Sequence, residues 1–192
     1  LSGGTTELLL VEPEGRNVRC TRIGGTTDIS AGQLIDRTGQ LLNLPFPSGK
    51  HLDVLSKEAD HAEFFKVKCS GLTFSLSGVQ NKVQQYFDRN GDPAATAAYA
   101  LGSVCHAVAA ATKNAQKEYP GLPVVFSGGV ASNSSLRESL QQACEKEGIQ
   151  FYHPSPIYCT DNAAMIGVAG YYSYVKGVEH GLDLNAVPNL KI

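Results

Sequence analysis

The sequence has no tryptophan and one methionine, and charged side chains make up only 18% of it. Its 16 Lys and Arg are set against 18 Asp and Glu, a net charge of −2. That balance excludes the bulk basic charge of a protein that holds nucleic acid over a broad surface, and leaves a local patch as the only route to such a partner. No apolar run approaches the roughly 20 residues that span a bilayer, so no membrane contact is expected. The first residues carry no basic segment ahead of an apolar one, so no signal peptide is read there. There is no C-x-x-C pair and no pair of histidines four apart among the five cysteines and five histidines. Cys20, Cys69, Cys105, Cys144 and Cys159 are odd in number and scattered. That argues against a disulfide framework or a zinc knuckle and for reduced thiols in the cytoplasm. With 42% hydrophobic residues the chain is not a disordered one.

What is present fits one good-sized core, or one lobe of a two-lobed protein. Residues 5–11 and 17–23 read as strands around a polar turn holding Pro13 and Gly15. Residues 28–42 place Leu34, Ile35, Thr38, Leu41 and Leu42 on one helical face, with Asp28 or Ser30 as cap. A short helix around 50–58, weak strands in 63–76 and a polar helix over 78–90 follow. Asp92-Pro93 then starts an alanine-rich helix over 94–118. Pro123-Val124-Val125-Phe126 reads as a buried strand, and residues 135–147 as a helix with a capping box of Ser135 and Glu138. A strand at 149–152 and a helix at 162–175, begun at Thr160 or Asp161, complete the pattern. The tail 177–192 reads as loop. Strand–helix alternation in the second half makes the class α/β, with a mixed sheet flanked by helices.

Two Ser-Gly-Gly turns carry the chemistry, Ser2-Gly3-Gly4 and Ser127-Gly128-Gly129. Glycines beside a strand end let backbone amides approach a phosphate or ribose without a Cβ in the way, and a nearby helix start adds positive partial charge. Alone, each is equally a plain turn, and neither fits the dinucleotide or P-loop pattern. Asn133, at a sheet edge before a helix, can offer donor and acceptor to a purine edge or can simply cap that helix. Gly32 would weaken a helix by about 1 kcal/mol, which points to something approaching closely there. Asp36, four residues on, is either a site carboxylate or one partner of a solvated ion pair. Asp161 is either a helix cap or one hard metal ligand; one carboxylate does not make a metal site.

Read in order, six blocks resemble the tRNA threonylcarbamoyladenosine transferase family, once called glycoproteases. They are Ser2-Gly3-Gly4-Thr5-Thr6-Glu7-Leu8, Asp28-x-x-x-Gly32-x-x-x-Asp36, Leu44-Pro45-Phe46-Pro47-Ser48-Gly49, Phe74-Ser75-Leu76-Ser77-Gly78, the run from Phe126 to Arg137, and the run from Tyr158 to Ile166. The resemblance implies an actin/Hsp70-like, ribonuclease H-like ATPase fold. Residues 1–176 would form its second lobe, 177–192 a tail, and the first lobe would be absent. It implies ATP or threonylcarbamoyl-adenylate as ligand, iron or zinc as the metal, and transfer of threonylcarbamoyl to a tRNA adenosine. On this mapping Ser2, Gly3 and Gly4 line the phosphate end, Asp36 and Gly49 the ribose region and Asn133 the base, while Asp161 is a metal ligand. No catalytic side chain is assigned. Adenine nucleotide, tRNA and other tRNA-modification subunits are the implied partners, and an uncovered lobe face allows a homodimer.

The sequence departs from the family pattern inside its blocks, and the family's Pro-Gly-Gly turn reads Pro47-Ser48-Gly49. Thr5 stands where the family has histidine, and Ile29 and Gln33 replace two carboxylates. The upstream His-x-x-x-His metal pair is not in this sequence. The opening Leu1-Ser2-Gly3-Gly4 therefore reads as one side of a cleft cut from a larger protein, inactive alone. A catalytically degenerate nucleotide-binding or interaction module is the alternative. A metalloprotease finds no H-E-x-x-H to support it.

Overall fold

The chain begins with a hairpin whose short turn is made possible by Gly15, at φ 61°. In the computed structural model, which describes residues 1–61, 63–179, 181 and 185, β1 (Glu7–Glu14) pairs antiparallel with β2 (Asn17–Thr26). Both strands outrun the expected 5–11 and 17–23. Pro13 is tolerated inside β1 because β1 lies at the edge of its sheet. A register shift between Leu8 and Leu9 puts Leu8 opposite Gly24 and Leu9 opposite Arg22, a bulge that bends the strand. The weak pattern over 63–76 resolves into two strands of two residues each, β3 (Cys69–Ser70) and β4 (Thr73–Phe74). β4 runs parallel to β2 and antiparallel to β3, which gives a mixed sheet of order β1-β2-β4-β3. A second sheet pairs β5 (Val124–Val125) with β6 (Phe151–Tyr152), parallel to each other.

Six α-helices lie among the described residues: α1 (Ala31–Leu41), α2 (Gly49–Ser56), α3 (Ser77–Asn90), α4 (Pro93–Glu118), α5 (Ser134–Lys146) and α6 (Ala163–Val175). The α/β class and the mixed sheet flanked by helices are as the sequence implied. α4 forms the centre. Asp92 caps it by accepting from the Ala94 and Ala95 amides at 2.9 and 3.1 Å, and Pro93 takes the first position. Ala97, Ala100, Leu101, Val104, Ala107 and Ala111 are buried against Leu34, Leu52, Leu76, Val79, Val83 and Leu136 of the neighbouring helices and the β4–α3 loop. Small side chains along α4 let four other helices approach it closely. Among the described residues α4 is long and apolar enough to cross a membrane, which corrects the sequence-level expectation that no stretch is. Its apolar face lies in the core of this fold.

Of the two caps that the sequence offered for α1 the structure uses Ser30, and two other helix starts, α5 and α6, differ from the sequence reading. α1 is capped by Ser30, which accepts from Gln33 N while the Gln33 side chain accepts from Ser30 N, a complete capping box. α5 is capped by Asn133 rather than Ser135, and α6 by Asn162 rather than Thr160 or Asp161. Most of the 177–192 tail lies outside the described residues. α6 buries none of its residues, although its sequence is apolar all round, the composition of a helix that belongs inside a core.

Candidate functional site

α1 presents its first turn to the Ser2-Gly3-Gly4 loop. The Gly32 amide donates to the Ser2 carbonyl at 3.2 Å, and the Ser30 hydroxyl donates to the Gly3 carbonyl at 2.6 Å. A Cβ on Gly32 would sit 2.5 Å from Gly3 Cα and 2.6 Å from Ser2 O. The close approach that the sequence implied at Gly32 is therefore the backbone of the glycine turn itself. The turn is also held from within, because the Gly4 and Thr5 amides donate to Ser2 Oγ at 3.2 and 2.9 Å. Gly3 and Gly4 are exposed, and a Cβ on either would meet nothing within 4 Å. The turn is thus held by hydrogen bonds while its glycine backbone stays bare and exposed.

One turn further along α1, the half-buried Asp36 accepts from the Ser48 amide at 2.9 Å. The ion pair with Arg37, its bland alternative, does not form; Arg37 donates to Gln80 instead. Beside Ser48, the Gly49 carbonyl accepts from Asn133 Nδ2 at 3.3 Å, and Asn133 Oδ1 accepts from Leu136 N at 2.9 Å. Asn133 is 6% exposed, so its amide serves the α5 cap and the tie to α2 at once. Asp36 and Asn133 thus bond the adjacent residues Ser48 and Gly49, which sets the three candidate residues in a row, and α1 links that row to the Ser2-Gly3-Gly4 loop.

The second glycine turn meets the first through Leu1. The Leu1 amino group donates to Ser127 O at 2.6 Å, and its carbonyl accepts from Val130 N at 3.1 Å. Gly128, at φ 94°, lies so close to Leu1 O that a side chain there would collide with it. Asp161 stands apart from the row. It is exposed at the start of α6 and caps nothing, since Asn162 does so. Among the described residues no group of three His, Cys, Asp or Glu side chains comes together that could hold a metal ion. One carboxylate does not fit a metal by itself, so these residues do not complete a metal site.

The first amides of α1 and α5 have already found acceptors. In α1, Ala31 N donates to Thr6 Oγ1 at 2.7 Å, Gly32 N to Ser2 O and Gln33 N to Ser30 Oγ. In α5, Ser134 N and Ser135 N donate to the Asp53 carboxylate at 3.0 and 2.9 Å. Burial would raise the Asp53 carboxyl, but the Ser135 and Ser134 bonds outweigh it and hold it below the usual carboxylate range. Asp28 does for α3 what Asp53 does for α5. It accepts from the Ser75 and Ser77 hydroxyls at 2.5 Å each and from the Leu76 and Ser77 amides. Burial alone would raise its carboxyl, but the four donors together outweigh it and hold the carboxyl far below the usual range. Sequence reasoning missed Thr6 and Asp53, and read Asp28 as a cap for the wrong helix. Two of the departing residues have structural roles: Gln33 completes the α1 capping box, and Ile29 packs on the core.

A sequence model of the tRNA N6-adenosine threonylcarbamoyltransferase family matches residues 1–168. The enzyme of that name from Staphylococcus epidermidis is 38% identical over 201 residues, covering 100% of this chain and 58% of its own length. The enzyme from Symbiobacterium thermophilum is 37% identical over 99% of this chain and 57% of its own, and that from Thermosipho africanus 37% over 100% and 60%. The chain therefore spans little more than half the length of these relatives. Among solved structures, HypF from T. kodakarensis superposes with a TM-score of 0.65 at 20% identity, over 85% of this chain and 21% of that one. Full-length HypF in its phosphate- and nucleotide-bound form gives 0.65 at 17% identity, over 77% and 20%. At those identities the likeness is one of fold. A hydrogen-bonded glycine loop, an Asp36–Gly49–Asn133 row and a family match over nearly the whole chain agree: the chain belongs to the tRNA N6-adenosine threonylcarbamoyltransferase family.

Proposed function

We propose that this chain is the second lobe of a threonylcarbamoyltransferase with an actin/Hsp70-like fold, and that a first lobe closes over it to form the site. The observation that carries the reading is the family match over residues 1–168, together with the convergence of Ser2, Gly3, Gly4, Asp36, Gly49 and Asn133 around α1. The exposed Gly3-Gly4 backbone receives the phosphate end of ATP or threonylcarbamoyl-adenylate. The helix amides beside it are occupied, so the loop and not a helix terminus makes that contact. Asp36 and Gly49 flank the ribose. Asn133 faces the base edge from the α5 cap, which fixes its orientation. Transfer joins the tRNA adenosine amine to the threonylcarbamoyl carbonyl, and the bond from that carbonyl to the phosphate oxygen breaks. AMP leaves and the amine proton passes to solvent.

Asp161 is the carboxylate this lobe contributes to an iron or zinc ion whose other ligands lie outside these residues. tRNA and further tRNA-modification subunits are the partners, and the setting is the cytoplasm. The deciding experiment uses the longer protein that contains this chain. It is incubated with threonylcarbamoyl-adenylate and tRNA lacking the modification, and the nucleosides are separated and weighed by mass spectrometry. Modified adenosine is expected, with loss in Asp161→Ala. Nucleotide binding without any transfer would instead establish a degenerate binding module, with Thr5 as the first residue to revert to histidine.

A further inference from the structure

Phe46 is 82% exposed, in the loop between α1 and α2. A single apolar side chain at a surface needs no explanation by itself. What marks Phe46 is the way the chain holds it out. Pro45 and Pro47 fix φ on either side of it. The next residue, Ser48, is 1% exposed; its amide donates to Asp36 at 2.9 Å and its hydroxyl to the Pro45 carbonyl at 3.1 Å. Gly39 leaves room for that seat, since a Cβ there would collide with the Ser48 side chain. At the start of the loop the Leu44 amide donates to Gly39 O at 2.8 Å. Both ends of the loop are thus tied to α1, and the ring between them stays in water.

The surroundings are basic. Lys50 and His51 are exposed in the first turn of α2, and Arg37 is exposed beside Asp36 on α1. Among the described residues neither Lys50 nor Arg37 enters an ion pair, and Arg37 donates to the neutral Gln80. The carboxylates at hand are engaged: Asp36 accepts from Ser48, and Asp53 from Ser134 and Ser135. Unpaired positive charge around an exposed ring complements a strand of nucleic acid, phosphates to the cations and bases to the ring. An apolar protein surface fits it poorly, because it would bury those cations without partners. Phe46 is three residues from Gly49 and its loop is bonded to Asp36, so the ring stands at the rim of the row proposed to hold the ribose.

We propose that Phe46 is a stacking platform for a base of single-stranded RNA next to the target adenosine, with Lys50 and Arg37 holding the flanking phosphates. This rests on the reading of the reaction given above, in which an adenosine amine must reach the acyl group. A base stacked among its neighbours does not enter a cleft. It is splayed out first, and aromatic side chains replace the stacking that is lost. A ring fixed at the rim supplies that replacement for any neighbouring base, since every base has a π-face.

The test uses the longer protein and tRNA lacking the modification. These 192 residues hold no tryptophan, so Phe46→Trp adds a reporter ring, read as the difference from the unsubstituted protein. Its emission should be quenched saturably as tRNA is added. Phe46→Ala and Phe46→Leu should both weaken tRNA binding by about 5- to 100-fold, while Phe46→Trp retains it. Lys50→Gln should reduce the slope of log affinity against log salt by about 0.7. ATP affinity and the melting temperature should stay the same in every variant. Unchanged tRNA affinity in Phe46→Ala or Phe46→Leu overturns the proposal, as does an unchanged salt slope in Lys50→Gln. Binding of tRNA that leaves the tryptophan emission unaltered overturns it too. A lower melting temperature in Phe46→Ala assigns the ring to a contact with the first lobe, and a loss of ATP affinity assigns it to the nucleotide; either result also overturns it. An unsubstituted protein that binds no tRNA sinks the enzymatic reading itself. One that transfers equally well with and without the Phe46 ring sinks only this inference.

Discussion

Gly32 shows how a single missing methyl can matter in the folded chain in the opposite sense to its effect in an isolated helix. In an isolated helix, Gly→Ala stabilises by about 1 kcal/mol. Here the added Cβ meets Gly3 Cα and Ser2 O at 2.5 and 2.6 Å, both backbone atoms with no rotamer to escape into. Gly32→Ala should therefore destabilise by roughly 1–3 kcal/mol in urea unfolding, and it should loosen the glycine turn. Asp28 gives a pH signature. Its carboxyl is held below the unfolded value of about 3.9. Its stabilisation is thus full above that pH and lost as the pH falls toward the lower folded value. The urea midpoint should drop below about pH 4, and Asp28→Asn should reduce that dependence while lowering the plateau at neutral pH. The sequence revealed that Gly32 needed a close neighbour and offered Asp28 beside Ser30 as a cap for α1. It concealed which neighbour and which helix, because Ser75, Leu76 and Ser77 come to Asp28 across 47 to 49 residues.

At the scale of elements, α4 was legible from its Asp92-Pro93 start and small-residue face, and α1 from its apolar spacing. The β3–β4 pair was legible only as strands or a hairpin somewhere in 63–76, since two residues each carry no period to fix their bounds. α5 was legible as a helix but not in its start. Ser135 and Glu138 fit a capping box on spacing, yet Asn133 precedes the first turn and Asp53 takes the serine amides. Asn133→Ala should destabilise the fold by about 1–2 kcal/mol through the lost cap and the lost bond to Gly49. Asn133→Asp keeps the acceptor for Leu136 N and should recover most of that in thermal melts. If Asn133 also reads the base, nucleotide affinity in the longer protein should fall in both variants, which separates recognition from capping.

At the scale of the molecule, the proposed second lobe fits an apolar helix that buries none of its residues and a chain that spans 58% of a relative's length. The candidate residues were legible because they sit in six short motifs, and a motif survives the loss of its surroundings. The uncovered state of α6 was not legible, because cover is defined by what lies beside a helix in space. The most direct measurement is calorimetric titration of ATP into the longer protein and into these 192 residues, under the same conditions. Saturable binding by the longer protein, with no measurable heat of binding from the 192 residues, is the expected result. Tight binding by the 192 residues alone, or none by the longer protein, would contradict the assignment of this chain as one half of a two-lobed nucleotide site.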